Sequence, residues 1–476
     1  MNAINAIKQN RRVATISAIK CNWTLIILTG LLLLICVLLN EFVWASVISF
    51  LTFAFFVGAI IYEKPNILFE YFAFFFACVG NVVGVAVVEF FQSFYLYELR
   101  CDSGFVGSLP LLLLGWWTLL VVLYVFSFTK SSERATDRKP NKFFETFLPI
   151  LTVPVLIINI AMFIHVFPNP SFEIGVDRFE YKEVYLTGIW EKISGYLPFL
   201  MIFPILSVRE GNKKIGITAI VFFCLYLFWV GTKFSDFFTL ACLFMLVYAN
   251  KLRQLEKTKL RKYVFSAGVI LVALIGLAGF AHSFTSTKTT EQFYSDRTAQ
   301  QGQIWWKVYD VSQGNLHTEE FFKNEIPALS IRKPIDESVS ANYGIYKAMY
   351  LSAPTSTIDT KLSSGSRYTE AGFACAYYYF GPIGVVAFGF FMAFLVVAIV
   401  NAILRAISGQ KVIDVLIQVR FYSFVRTALS MFIFSSFFSK VSLLCFVYLI
   451  FTKLLKRRSD FKIKHPRMGI LKVESL

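Results

Sequence analysis

The chain has 476 residues, of which 57% are hydrophobic and only 16% are charged. Soluble domains are about half apolar and about a quarter charged, so the composition excludes an ordinary soluble protein and indicates a membrane protein. The formal net charge is +16, but the basic residues lie mainly between apolar runs, which argues against nucleic-acid binding.

Apolar runs recur along the chain with about the 20 residues that a helix needs to cross a bilayer. About twelve such runs predict an all-α polytopic membrane protein. They cover residues 23–40, 42–62, 67–92, 107–129, 146–167, 190–208, 214–231, 234–250, 263–282, 372–400, 412–436 and 438–454. Most Lys and Arg residues lie in the N-terminal segment, the even-numbered connections and the tail, which predicts that both termini are cytoplasmic.

The same pattern divides the chain into regions. Residues 1–282 are an N-terminal membrane region with about nine spans and a non-cytoplasmic loop at 168–190. Residues 283–371 are a large non-cytoplasmic loop, and its aromatic stretches predict short helices. Residues 372–455 hold about three further spans, and residues 456–476 are a basic cytoplasmic tail. Loops this long are usually functional or disordered, and the aromatic content favours function.

The first candidate residues lie in the shorter loop and at the hinge after it. The sequence DRFEY contains Asp177, Arg178 and Glu180, which either bind a phosphate and sugars or form a solvated acidic loop. The hinge GTKFSDFF contains Lys233 and Asp236 at the same predicted side of the membrane. The lysine either snorkels to the interface or presents its ammonium to a lipid-linked anion.

The large loop contains a polar stretch, DRTAQQGQIWW, that is unusual in so apolar a chain. Arg297, Gln300 and Gln301 precede the pair Trp305 and Trp306. The two rings either anchor the loop among lipid headgroups or offer an apolar face to a sugar. Because anchoring leaves the neighbouring Arg and Gln unexplained, we expect glycan contact.

Two further groups lie near the last spans. Arg367 and Glu370 stand at the entry to the tenth span, where an acid can also simply cap a helix. Arg426 lies in the outer half of the eleventh span, and an arginine at depth costs at least about 2.5–3.5 kcal/mol. A guanidinium matches phosphate oxygens, so Arg426 is a candidate pyrophosphate ligand. The alternative is a structural pair with an intramembrane carboxylate such as Glu89.

These motifs together resemble the O-antigen polymerase (Wzy-type) family. The resemblance covers the spans and both outer loops. It rests locally on DRFEY (177–181), GTKFSD (231–236), DRTAQQGQIWW (296–306) and EAGFACAYYYFGPIGVV (370–386). Many relatives carry a Glu about six residues before the FG dipeptide, where this chain has Cys375, and Glu370 lies a turn earlier.

The resemblance implies a membrane glycosyltransferase of the GT-C kind at the periplasmic face of a bacterial inner membrane. It would join repeat units carried on undecaprenyl pyrophosphate without a metal or cofactor, with a chain-length regulator as a possible partner. The implied pyrophosphate ligands are Arg178, Lys233, Arg297 and Arg426. The pool for acid–base catalysis is Asp177, Glu180, Asp236, His317 and Glu370. The implied glycan contacts are Gln300, Gln301, Trp305, Trp306 and Arg367.

Three other functions remain open at this point. An O-antigen ligase has a similar layout but transfers finished polymer to a lipid A core. A flippase or other transporter can also have twelve spans, although the two halves lack the matched broken helices typical of transporters. A non-enzymatic assembly factor is the third alternative.

Overall fold

The structure is a computed structural model that describes residues 21–91, 94–128, 142–174, 178–232, 235–266, 290–312, 314–329 and 341–464. The elements of the first half are α1 Trp23–Leu38, α2 Val43–Glu63, α3 Asn66–Glu70, α4 Phe72–Phe90, β1 Tyr95–Leu96, β2 Cys101–Asp102, α5 Leu109–Ser127, α6 Lys142–Val166, α7 Ser171–Ile174, α8 Arg178–Tyr185, α9 Ile189–Leu200, α10 Ile202–Glu210, α11 Lys213–Trp229 and α12 Ser235–Arg253.

The second half begins with short helices and ends with three long ones. They are α13 Thr290–Ala299, α14 Gln303–Ser312, α15 Thr318–Glu320, the π-helix Phe321–Glu325, α16 Ile326–Ala328, α17 Gly344–Ser352, α18 Thr355–Ser363, α19 Gly372–Ser408, α20 Val412–Met431, a 3₁₀ turn at Ser435–Phe438 and α21 Lys440–Lys464. The short helices fall within the predicted large loop, as expected from its aromatic content.

Seven segments of the described chain are helical, long and apolar enough to cross a membrane. They are Val43–Glu63, Phe72–Phe90, Leu109–Ser127, Phe147–Ile174, Ile189–Glu210, Ser235–Arg253 and Gly372–Ser408. The prediction of a helical membrane protein is therefore confirmed, with one small antiparallel hairpin, β1–β2, that the sequence did not predict.

The remaining predicted spans are not among these seven. Helix α1 has 16 residues and α11 has 17, so both are short for a full crossing. Helix α20 forms at the predicted place but carries charged residues along its length. The predicted span 263–282 lies largely outside the described residues. The count of twelve spans therefore stays a prediction.

Helix ends follow ordinary capping chemistry, which explains why the runs stop where they do. The side chain of Asn22 accepts a hydrogen bond from the Leu25 amide at 3.1 Å and caps α1. The buried carboxylate of Glu89 accepts from the Ser108 amide at 2.5 Å and caps the start of α5. Gly211 ends α10 with a φ of 111°, which a residue with a side chain rarely adopts.

Helix α5 occupies the centre of the bundle and packs against α19, α1 and α2, while α19 also packs along α20. Its residues Trp116, Leu119 and Leu123 are fully buried. Burial of large side chains on several faces is typical of an interior helix and contributes about 1.5–3 kcal/mol for each aliphatic or aromatic side chain. This packing sets the positions of α4, α19 and α20, the helices that surround the candidate site.

The two ends of the bundle differ. We call the end that carries residues 39–42, 94–108, 290–312, 314–329 and 341–363 the loop face. At the opposite end, the guanidinium of Arg253 on α12 binds both carboxylate oxygens of Glu70 at 2.5 and 2.6 Å. Because Glu70 is almost fully buried, this bidentate pair fixes α12 against α3 far from the loop face.

The large loop does not lie only on the surface. The turn between α13 and α14 enters the bundle and rests on the middle of α4. A Cβ added at Gly302 would lie 2.1 Å from the Val85 nitrogen, and one at Gly84 would lie 2.5 Å from the Gly302 nitrogen. Two backbones approach this closely only where both residues lack a side chain. Gly84 lies about 9 Å below the loop-face end of α4, at 1.5 Å per residue.

Candidate functional site

The candidate site begins at the entry to α19, where the backbone is held in an unusual conformation. Glu370 has a φ of 59°, in the left-handed region that non-glycine residues seldom adopt. The next amide, of Ala371, donates to the Ser430 carbonyl at 2.7 Å. A Cβ at Gly372 would lie 1.8 Å from the Leu429 carbonyl oxygen. The end of α20 therefore fixes Glu370, and such strained residues cluster at active sites.

Arg426 on α20 supplies the opposite charge. Its Nη1 donates to Thr239 Oγ1 at 3.4 Å, and its guanidinium carbon lies 5.1 Å from the ring centroid of Phe238. Both partners belong to the first turns of α12. Arg426 lies about 7 Å below the loop-face end of α20. A cation on an aromatic face keeps its planar fork open on the other side, where an anion can bind.

Glu370 and Arg426 form no direct ion pair, but the guanidinium charge acts on the carboxyl group. Desolvation raises the pKa of Glu370 to about 8, and the positive charge of Arg426 partly opposes this rise. The carboxyl is therefore mostly neutral at pH 7, while the guanidinium stays charged. A group with its pKa near the working pH can take up and release a proton readily.

The turn that enters the bundle forms the third wall of the site. Thr369 Oγ1 donates to Gln301 Oε1 at 3.4 Å, next to Glu370. The Gln301 carbonyl accepts from Asn81 Nδ2 at 2.8 Å, and Trp116 Nε1 donates to Asn81 Oδ1 at 3.0 Å. The predicted glycan residue Gln301 thus belongs to the same cluster as Glu370.

The expected role of the two adjacent tryptophans does not fit their positions. Trp305 is fully buried and Trp306 is 4% exposed. Trp305 Nε1 donates to the Ser108 carbonyl at 3.2 Å, and Trp306 Nε1 donates to the Gly104 carbonyl at 2.7 Å. Neither ring has an open face for a sugar or for lipid headgroups. The pair instead fastens α14 to the segment before α5, because each indole satisfies a backbone carbonyl.

Replacing Trp305 by Phe should therefore lower stability and leave the specific activity of the surviving protein unchanged. The change removes a buried donor and leaves the Ser108 carbonyl with only the 3.3 Å hydrogen bond from the Leu112 amide, at a cost of about 0.5–1.5 kcal/mol. Thermal aggregation of detergent-purified protein measures this. Trp44→Phe is the matched control, because Trp44 is 49% exposed. Equal stability of the two variants would contradict the structural role.

Other predicted loop residues lie away from the Glu370 cluster or on its margin. Arg297 is exposed, and its Nη1 donates to Gln300 Oε1 at 3.3 Å. The guanidinium of Arg367 lies 5.4 Å from the Tyr346 ring. These three side chains remain on the loop face, where a glycan can reach them, and their predicted roles stay predictions.

His317 belongs to a separate cluster. Its ring stacks on Tyr378 with centroids 4.2 Å apart, and Nδ1 lies 3.8 Å from Glu320 Oε1. Glu320 also pairs with Lys347 at 2.7 Å. Desolvation acts to raise the pKa of Glu320, but hydrogen bonds from Lys347 and Tyr378 outweigh it and lower the pKa below its usual value. The histidine is therefore engaged in loop packing, apart from the pair of Glu370 and Arg426.

Of the candidate residues in the loop at 168–190 and in the hinge after it, the structure describes the side chains of two. Glu180 is exposed on α8, and Asp236 is partly buried in the first turn of α12, three residues before Thr239. Asp177, Lys233 and the side chain of Arg178 lie outside the described part of the chain. Their predicted roles are not tested.

Glu89, the carboxylate named for a structural pair with Arg426, is engaged elsewhere. Glu89 accepts hydrogen bonds from the Ser108 and Leu109 amides and from Ser46 Oγ, so its carboxylate is committed to the start of α5. In the described residues, no group of three or more His, Cys, Asp or Glu side chains is placed to hold a metal.

Sequence reasoning missed several residues that shape this site. Thr239 and Phe238 hold Arg426, and Asn81 holds the loop turn. Asn81 carried a signal, since an amide inside an apolar run demands a buried partner. Thr239 and Phe238 carried none, because both residue types are common in membrane helices.

Residues 338–447 match a family model described as a family of unknown function (DUF6418). The matched segment runs from just before α17 into α21, so it includes both Glu370 and Arg426. The matched segment begins after His317 and Gln301 in the chain, so it includes neither residue. No curated protein and no solved structure matches the chain.

Proposed function

We propose that the chain is an O-antigen polymerase, a metal-independent glycosyltransferase of the GT-C kind with twelve spans. It would join repeat units carried on undecaprenyl pyrophosphate at the periplasmic face of the bacterial inner membrane, with both termini in the cytoplasm. The observation that carries the proposal is the hydrogen bond from the Ala371 amide to the Ser430 carbonyl, which holds Glu370 at the end of α20, one turn from Arg426. The sequence resemblance supports the substrate.

The proposed reaction uses both members of the pair. A hydroxyl of the acceptor sugar attacks the anomeric carbon of the donor glycan, and a new glycosidic bond forms. The bond between that carbon and the pyrophosphate oxygen breaks, and the pyrophosphate leaves with the electron pair. Ionised Glu370 takes the hydroxyl proton, which general-base catalysis requires. Arg426 stabilises the negative charge that develops on the leaving pyrophosphate.

The surroundings suit these two roles. A carboxyl with a raised pKa holds a proton after transfer and releases it to solvent near neutral pH. The guanidinium fork suits two phosphate oxygens better than a lysine ammonium does. The short helices of residues 290–363 lie over the loop face and can exclude water from the reacting centre. Gln300 would then contact the acceptor glycan, and exposed Arg297 beside it would bind pyrophosphate.

A deletion strain tests this function directly. Loss of a polymerase should leave a lipopolysaccharide core that bears a single repeat unit, and the ladder of longer bands on a gel should disappear. The plasmid-borne wild-type gene should restore the ladder. A bare core together with lipid-linked polymer would identify a ligase instead. An unchanged ladder would exclude both transferase functions.

A further inference from the structure

A cavity lies beside the first half of α19. Its volume is about 580 Å³, within the range of ligand pockets. Its lining is apolar except for one carboxyl group, Glu325. The lining residues are Phe321, Glu325, Ile326, Leu329, Ala376, Phe380, Ile383, Gly384, Ala387, Phe388, Phe391, Phe432, Phe434 and Phe438. A sugar or phosphate finds no partner along most of this surface.

The cavity lies beside a break in α19. Gly381 has a φ of 62° and a ψ of −154°, so the lining positions Ala376 and Phe380 precede the break, and Ile383 to Phe391 follow it over about 12 Å of helix at 1.5 Å per residue. Helix α19 is one of the segments able to cross a membrane. Ile383 at the rim is 81% exposed. Phe391 and Phe438 on the same rim are 49% and 41% exposed. The cavity therefore opens sideways between α19 and the 3₁₀ turn after α20, where a hydrocarbon chain can enter from a surrounding bilayer.

Glu325 marks the end of the cavity nearest the loop face. Its Oε1 accepts hydrogen bonds from the Gly344 amide and from Tyr379 Oη, the latter at 2.8 Å. Gly344 in turn lies against the loop-face end of α20, beside the Phe432 carbonyl. The polar end of a bound lipid would thus lie at the loop face, and its apolar chain would extend toward the bilayer centre.

The cavity shares a wall with the candidate site. Phe388 and Phe432 both line the cavity, and their ring centroids lie 5.3 Å apart. A Cβ at Gly372 would lie 3.1 Å from Phe388 Cε1, and Gly372 is two residues from Glu370. A lipid seated here would have its polar end close to Glu370 and Arg426. This arrangement would bring the reacting headgroup of a lipid-linked substrate to Glu370 and Arg426. An ordinary bilayer lipid has no such headgroup.

We propose that this cavity holds the prenyl chain of the lipid-linked substrate. This inference rests on the proposed function, because the occupant is the carrier lipid of that reaction. Seven phenylalanine rings line the cavity. Such rings present broad apolar faces to a methyl-branched chain.

A binding experiment separates this proposal from the activity. Purified protein in phosphatidylglycerol nanodiscs would be titrated with fluorescent undecaprenyl phosphate, without any glycan. Ala387→Trp fills the cavity from an exposed lining position and should weaken binding at least about tenfold. Ala54→Trp is the matched control, because Ala54 is an exposed alanine on α2 outside the cavity. It should bind like the unsubstituted protein.

Two results would overturn the cavity assignment. One is wild-type affinity in correctly folded Ala387→Trp, and the other is displacement of the probe by added phosphatidylglycerol as effectively as by unlabelled undecaprenyl phosphate. Should Ala387→Trp fail to fold, a photoreactive undecaprenyl phosphate applied to the unsubstituted protein decides: labelling must fall on buried cavity residues such as Phe388 and not on Phe55, which is exposed on α2 outside the cavity. Failure of the proposed function differs, because it leaves the ladder of the deletion strain unchanged.

Discussion

Glu370→Gln is expected to abolish polymer while the protein remains folded in the membrane. The amide keeps the shape of the side chain but cannot take a proton, and loss of a general base costs about 10²–10⁴-fold in rate. The measurement is the turnover of lipid-linked repeat units by purified protein. Glu319→Gln is the matched control, because Glu319 is exposed on the short helix α15. Normal turnover by Glu370→Gln would remove Glu370 from the chemistry.

The pH dependence of turnover tests the role of Glu370 as a base independently. The active form of the base is ionised, and desolvation raises the pKa of Glu370 to about 8. The rate should therefore rise with pH through the neutral range and level off above about pH 8. Arg426 lowers the pKa of Glu370. The residual activity of Arg426→Gln should consequently level off at a higher pH than that of the unsubstituted protein.

Position 426 should require the guanidinium group of arginine, and not only a positive charge. Arg426→Lys keeps a positive charge but loses the fork that binds two phosphate oxygens, so turnover should fall strongly. A lysine variant with full turnover would show that charge alone suffices at this position.

Gly84→Ala should detach the loop turn from α4 and reduce the amount of folded protein severely. An added methyl group would lie 2.5 Å from the Gly302 nitrogen and 2.7 Å from the Thr298 carbonyl oxygen. Overpacking of this kind costs about 1–3 kcal/mol or more, and here two backbones must separate. Loss of the contact should also displace Gln301 and Thr369, so the remaining protein should have little activity.

The matched control lies one turn away on the same helix. A methyl group at Gly80 would meet only Gln301 Cγ at 3.9 Å, which is ordinary contact. Gly80→Ala should therefore fold and react normally, and the better helix propensity of alanine should compensate any small loss. Folded yield and thermal stability in detergent measure both variants. Equal yield and stability of Gly84→Ala and Gly80→Ala would contradict the close approach of the Gly84 and Gly302 backbones.

Several spans could be predicted from the sequence, because the hydrophobicity of a segment depends only on its own residues. The run predicted at 42–62 forms α2, Val43–Glu63, and the run predicted from residue 372 starts α19 at Gly372. Such runs can be recognised without knowing which segments pack against each other, because the bilayer surrounds all of them.

The candidate site was only partly predictable, because it depends on which distant segments meet. Arg426 and Glu370 were identified as candidates from their residue type and place, but their proximity was not. The tryptophan pair was misinterpreted because a polar stretch in an apolar chain suggests a surface. Trp305 is instead buried by residues around Ser108, which lie 197 positions away. The sequence pattern of a loop cannot distinguish these two outcomes.

The bond from Asn81 to the Gln301 carbonyl spans 220 residues of the chain. A ribosome adds about 5–20 residues per second, so roughly 10–45 s pass between the synthesis of the two partners. During that time α4 already lies in the membrane, and the space beside Gly84 that Gly302 later fills is unoccupied. An amide in hydrocarbon without its partner is costly, which makes the half-made bundle a target for quality-control proteases. Synthesis rate and membrane proteolysis should therefore limit how much of this protein a cell accumulates.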